Sequence, residues 1–289
     1  MVTSELKRYL KSKLNIINFI ICSIPMLISY YFTDIEKKQQ YSFIIDQPKD
    51  YNLSEGKIIY EGINGFSYLF NFLFSSDLYI IFVLILSLAF GVILGGVEFR
   101  NREKGFGNMM FSRSEVKKGT CKILLAQILY VSIYIIVYFS LLTIVTLLIY
   151  PVDSSVQFTL PFPLETSSVA TCILLIVEHI SKLLIYIIAI VVITYGASGF
   201  INNKYVITVV PIMVYFIPLF ICSLIGNIIT PVGGFFSFFI PDKYLLAIYN
   251  RYAAEYVSIG NEFLLPILLI TLACIIIFAY IKKIKRNYL

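Results

Sequence analysis

The chain has 289 residues, of which 59% are hydrophobic and only 14% charged, and its mean hydropathy is +0.86. A soluble domain of this length carries roughly 25% charged residues, so the composition excludes an ordinary water-soluble enzyme and points to an integral membrane protein. The net charge of +6 is concentrated in a few loops, so it does not point to nucleic acid.

Uncharged runs cover residues 14–33, 78–97, 123–152, 183–203, 205–241 and 263–281. A bilayer core of ~30 Å takes ~20 helical residues, so each run is long enough to hold a span. None alternates as a barrel strand does, which leaves helices as the spanning structure. The expected fold class is an all-α polytopic membrane protein of six transmembrane helices with both termini cytoplasmic.

Residues 1–13 place Leu6 and Leu10 one turn apart, with Leu14 following, among Lys7, Arg8, Lys11 and Lys13. That spacing predicts an amphipathic helix on the inner membrane surface or, equally, a basic topology anchor. Span 1 is 14–33, with Pro25 as a kink; it lacks a small-residue cleavage site and is read as a retained span rather than a signal peptide. An external loop, 34–77, holds seven acids against four lysines. Its aromatic second half, Gly62 to Ser76, predicts a helix at the outer interface or an extension of span 2.

Span 2 is 78–97 and ends in Gly91, Gly95 and Gly96, small residues that permit close helix approach. A polar connection, 98–122, follows and carries seven of the 23 Lys and Arg residues. Span 3 is 123–150. A second external loop holds Pro151, Pro161 and Pro163 without Lys or Arg, and span 4 is 169–203. Span 5 is 205–226. In the uncharged run 205–241, Pro218, Pro231, Gly233 and Gly234 argue against a second full crossing, so 227–262 is read as a re-entrant or external element. An amphipathic helix after Pro241 would place Leu245, Ile248, Tyr249, Tyr252 and Tyr256 on one side and the Arg251–Glu255 pair on the other. Span 6 is 263–281. This arrangement puts 16 of the 23 basic residues in the loops on one side, which the positive-inside rule assigns to the cytoplasm.

Candidate chemistry is sparse. No Walker A sequence is present, since Gly105-Phe106-Gly107 lacks the Gly-Lys-Ser/Thr ending that cradles phosphate. No Gly-x-Ser-x-Gly elbow supports serine chemistry, and a single histidine cannot build a metal-dependent intramembrane protease site. The cysteines Cys22, Cys121, Cys172, Cys222 and Cys274 are scattered without metal or redox spacing and read as small apolar fillers. Glu178, His179 and Lys182 form the one ionisable cluster beside a span. Glu178 and Lys182 stand in the favourable i, i+4 order for a helical ion pair. Charges inside a bilayer tend to be functional, so a proton or substrate site is one reading; a helix projecting beyond the outer surface is the other. In the 98–122 connection, Phe106, Met109, Met110 and Phe111 exceed what a tether needs. They suit either a short helix docking on a soluble partner or one folded back on the membrane surface.

This layout resembles the membrane subunits of ABC-2 type permeases, the type V half-transporters, over nearly the whole chain. The resemblance rests on the amphipathic segment 1–13, six spans with both ends inside, the 98–122 connection and the non-spanning element before span 6. Locally, Glu98 resembles the family's acid after span 2, Glu103-Lys104-Gly105-Phe106 its Glu-x-x-Gly-Thr-like step, Ser112-Arg113 its Pro-x-Ser-Arg-like step, and Lys118 or Lys122 its final lysine. Phe106 stands where threonine is usual, and no proline precedes Ser112. The resemblance implies that 98–122 is a coupling helix, with Glu98, Glu103, Gly105, Phe106 and Arg113 pressing on a separate cytoplasmic ATPase subunit that binds ATP and Mg. It also implies a second permease subunit, identical or related.

The resulting expectation is the non-enzymatic permease subunit of an exporter, without a cofactor of its own. It would move a hydrophobic or amphipathic cargo, such as a peptide antibiotic or a lipid-like molecule. Abundant Ile, Lys, Asn and Tyr with no Trp suit an AT-rich bacterial genome, hence a bacterial cytoplasmic membrane. The alternatives are a proton-coupled secondary transporter using Glu178, His179 and Lys182, and a non-transporting anchor or sensor.

Overall fold

A computed structural model describes residues 2–46, 64–75, 77–95, 99, 116–150, 152, 169–228, 239–246 and 263–288. The described residues are mostly helical, with no strand among them, and six helices are long and apolar enough to cross a membrane. The short helix α1 (Val2–Leu10) precedes α2 (Leu14–Asp46). Next come α3 (Gly65–Phe70), extended by a π-helical turn at Asn71–Ser75, and α4 (Asp77–Phe90), extended by another at Gly91–Gly95. The rest are α5 (Val116–Ile149), α6 (Val169–Ser198), α7 (Lys204–Ile228), α8 (Pro241–Leu245) and α9 (Leu264–Tyr288).

Several boundaries differ from those read in the sequence. The first long helix runs past residue 33 to Asp46, because no Gly or Pro interrupts 34–46 and Asp34 pairs with Lys38 one turn on, at 3.2 Å. The helix beginning at Val116 absorbs Lys117, Lys118 and Lys122, which the sequence reading placed in the connection before span 3. The helix expected over 169–203 stops at Ser198, where the backbone turns at Gly199. A methyl group at Gly199 would lie 2.0 Å from Tyr280 Cδ2, so the close approach of α9 requires glycine there. Of the element expected over 227–262, the end of α7, residues 239–246 and their helix α8 are described. Ile248, Tyr249, Arg251, Tyr252, Glu255 and Tyr256 lie outside the described residues.

The helix α1 is present, but its inward face is not the leucine stripe. Glu5 and Tyr9 are buried and Val2 and Leu6 pack on the core, while Leu10 and Leu14 stay exposed. Helix α1 lies against α5: Gln127 Nε2 donates to Tyr9 Oη at 3.4 Å, and the Tyr9 and Tyr130 rings stand 5.6 Å apart. Inside α2, Pro25 removes one backbone donor. Three residues earlier, the Cys22 carbonyl accepts from Tyr138 Oη at 3.1 Å, next to the Ile21 carbonyl that Pro25 leaves without its helical donor.

The α3 segment is the largest departure from a surface helix. Asn64 caps it by accepting from the Phe66 and Ser67 backbone, at 3.0 and 3.2 Å, and Ser67 Oγ accepts from the Asn64 backbone in return. Every residue from Gly65 to Phe70 is buried, as are Phe72, Leu73 and Phe74. Tyr68 stacks on Tyr150 at 4.0 Å and donates to Asp34 at 2.9 Å, and Asn71 donates to Thr33 at 2.7 Å. Its aromatic side chains thus fill the end of the bundle between α2, α4, α5 and α6.

Two ends can be distinguished by charge. The basic end gathers α1, the starts of α2, α5 and α7, and the ends of α4, α6 and α9. The acidic end gathers α3, Asp77, Asp34, the start of α6 and α8. The most extensive helix pairing is between α6 and α9. At Gly91 α4 and α7 also approach closely, with a methyl group there 2.6 Å from the Thr208 carbonyl, in line with the small-residue signal at the end of span 2.

Candidate functional site

The residues expected to couple to a partner, Glu98, Glu103, Gly105, Phe106 and Arg113, lie outside the described residues, as does the Phe106–Phe111 segment. What is described is their setting. The described turns before it end at Gly95, and α5 begins at Val116, with exposed Lys117, Lys118 and Lys122 in its first turns.

The second candidate, Glu178, His179 and Lys182, is fully described and occupies the acidic end. Lys182 Nζ lies 3.1 Å from Glu178 Oε1, with the lysine side chain 7% exposed and the glutamate 35%. The α6 helix thus aims the lysine inward and leaves the carboxylate at the edge. His179 is 1% exposed and sits edge-on to Phe74 at 5.1 Å and tilted against Tyr79 at 4.8 Å. Neither ring nitrogen has a hydrogen-bond partner among the described residues. The cluster therefore lies level with the start of α4, near one end as an outward-projecting helix would place it, yet enclosed by protein.

Other polar groups converge there that the sequence reading did not single out. Tyr244, on α8, donates to the Lys182 carbonyl at 3.1 Å, and its ring lies 6.4 Å from Tyr186. Tyr215, on α7, donates to Asp242 at the start of α8. Burial holds the Asp242 carboxyl above the usual carboxylate range; the nearby charge of Asp77 adds to this, while the Tyr215 hydrogen bond opposes it. The hydroxyls of Tyr79 and Tyr186 are buried without a hydrogen-bond partner among the described residues. One signal for this group was present in the sequence, since Asp242 is the charge that closes the 37-residue uncharged run 205–241.

Chemically, the arrangement offers an ion pair, an imidazole in an apolar cage and a tyrosine–carboxylate pair. It holds no group of three or more metal-ligating side chains among the described residues. The enclosed space between α4, α5, α6 and α7, lined by Phe90, Gln127, Thr194 and Pro211, is about 10 Å³, room for about one water. Larger spaces of about 410 and 390 Å³ open sideways instead, the first between α2 and α5 and the second between α7 and α9.

No family model, curated protein or solved structure matches this chain.

Proposed function

We infer that the chain is the membrane-embedded permease subunit of an ATP-driven exporter whose ATPase is a separate polypeptide. The observation that carries this reading is where the space lies. Among the described residues, the space between α4, α5, α6 and α7 has room for about one water, while cavities of about 410 and 390 Å³ open on the sides of the bundle. Such a molecule suits a hydrophobic or amphipathic cargo handled at its lateral surfaces, or between two copies, rather than a hydrophilic solute passing through one chain. The basic end supports the partner assignment. There α1 packs on α5, and the 98–122 connection joins α4 to α5 in sequence, so force applied to that connection is delivered to those two helices. In this reading the basic end faces the cytoplasm of a bacterial cell, and Glu98, Glu103, Gly105, Phe106 and Arg113 meet the ATPase.

The test is purification of the tagged full-length chain from its native membranes, with ATP hydrolysis measured on the product. A copurifying ATPase whose turnover is uncoupled from export by Arg113→Glu or Phe106→Ala is the expected result. Export that persists when the whole 98–122 connection is disrupted removes the coupling assignment.

A second reading, proton-coupled transport through Glu178, His179 and Lys182, is favoured by one observation, the buried imidazole without a hydrogen-bond partner among the described residues, beside a buried lysine. Transport that continues without any ATPase and collapses with the proton gradient would replace the first reading with this one.

A further inference from the structure

The gap between α2 and α5 is built unlike the space between α7 and α9. The two helices are held apart and joined across the gap by tyrosines: Tyr138 reaches the Cys22 carbonyl, and Tyr30 Oη bonds Thr146 Oγ1 at 2.8 Å. Phe19 closes the inner end by an edge contact with Tyr138 at 5.1 Å. Between these points the walls are apolar and open sideways, with Leu27, Leu141 and Val145 exposed. At the other end the lining changes to Tyr31, Tyr150 and Asp34, and Asp34 forms its ion pair with Lys38. The space between α7 and α9 has no such polar end: its lining residues are Val214, Ile217, Pro218, Cys222, Phe239 and leucines and isoleucines around them.

A groove that is apolar along its length and charged at one end matches an amphiphile lying parallel to the helices. From Phe19 to Asp34 the groove runs ~22 Å along α2, longer than half of a ~30 Å hydrocarbon core, so it accommodates a lipid tail and the neck above it. Asp34 also stands ~30 Å from Leu14, the depth at which one face of a bilayer meets its headgroups. The charges there narrow the head. A carboxylate and an ammonium 3.2 Å apart, with side chains 44% and 69% exposed, mirror a headgroup in which a phosphate neighbours a primary amine. The amine donates to Asp34 and the phosphate meets Lys38. A quaternary ammonium has no proton to donate, and a purely anionic head is repelled by Asp34.

We propose that the α2–α5 groove is a binding site for one zwitterionic phospholipid of the phosphatidylethanolamine type, its tail between Phe19 and Ile149 and its head on Asp34 and Lys38. The site stands independently of what drives transport.

The chain has no tryptophan, so an introduced one is a unique reporter. Val145→Trp places it in the groove; Leu148→Trp, at a position 80% exposed and outside the groove lining, is the control. The full-length variants are placed in nanodiscs of phosphatidylglycerol containing increasing amounts of tail-brominated phosphatidylethanolamine. Half-maximal quenching at Val145→Trp is expected at a mole fraction at least ~5-fold below that at Leu148→Trp, and Asp34→Asn in the same chain should abolish the difference. Native mass spectrometry of the chain with its tryptophan-free groove intact provides a readout that does not depend on the reporter. It should retain one phosphatidylethanolamine in the wild type and lose it in Asp34→Asn. Equal quenching at both positions, equal potency of brominated phosphatidylglycerol, or retention unaffected by Asp34→Asn would each overturn the proposal.

Discussion

The two ends of the bundle treat charge in opposite ways. At the basic end the lysines and arginines whose side chains are described, from Lys7 to Arg286, are exposed. The helices there close on one another through glycine, as at Gly199, and through clamps from side chain to backbone, as where Lys283 Nζ donates to the Gly199 carbonyl at 2.9 Å. At the acidic end Lys182 and His179 are buried and Asp242 is held by Tyr215, with aromatic rings from α3 filling the space between helices. The basic end therefore keeps its lysines and arginines at the surface, where Arg8 pairs with Glu5 and Lys283 with the Gly199 carbonyl, and within reach of water, lipid phosphate or a partner. The acidic end carries ionisable groups inside it, an arrangement whose energy depends on protonation and hydration.

The largest effect that would break this contrast lies at the basic end. Gly199→Ala forces a methyl group into the buried Tyr280 ring and should lower stability by ~1–3 kcal/mol, read as an earlier thermal transition of the purified protein in detergent. A variant as stable as the wild type would mean that the α6–α9 corner has slack. Tyr130→Phe removes the hydrogen bond to Asn15 that ties α5 to the start of α2, and should cost ~1 kcal/mol in the same assay.

The acidic end should respond with the opposite sign. His179→Phe replaces an imidazole lacking hydrogen-bond partners among the described residues with an apolar ring among Phe74 and Tyr79, and should raise stability by ~1 kcal/mol. ATP-driven export should survive it, whereas a proton-coupled mechanism would be lost. The smallest effect is expected at Asp242. Its folded-state proton affinity is raised, so the folded chain binds more protons than the unfolded one and stability falls as pH rises through its titration. Asp242→Asn keeps an acceptor for Tyr215 and removes that loss. The variant should melt slightly above the wild type near about pH 7, with the gap closing towards about pH 4, below which both forms are neutral. A gap that widens on acidification would contradict the assigned direction.

Six spans were legible in the sequence because charged residues bracket apolar runs of the right length, and nothing but a helix satisfies its backbone there. The ends were less legible. Residues 34–46 are polar, which reads as a loop, yet they contain no helix breaker and form an i, i+4 pair, so α2 continues through them. Lys117, Lys118 and Lys122 mark a membrane boundary by charge and are also good helix formers, so α5 begins before the apolar run does. The leucine spacing of α1 indicated a helix but not its inward face, because Tyr9 is drawn inward by Gln127 and Tyr130 on α5, a partner more than a hundred residues away. The Glu178–Lys182 pair was legible from spacing alone. Its neighbours Tyr79, Tyr186, Tyr215 and Tyr244 were not, since tyrosine suits a lipid interface, a core and a hydrogen bond equally well, and only the fold selects among these.

The pairing of α6 with α9 has a consequence for biosynthesis. The ribosome delivers α6 well before α9, so while α7 is being made the face of α6 around Gly196 and Gly199 lacks the helix that later covers it. The bundle is completed only when the last apolar helix arrives and Lys283 reaches the Gly199 carbonyl. A chain released before that point carries an open seam along its most extensive helix contact, which would expose an incomplete product to membrane quality control before it assembled with any partner.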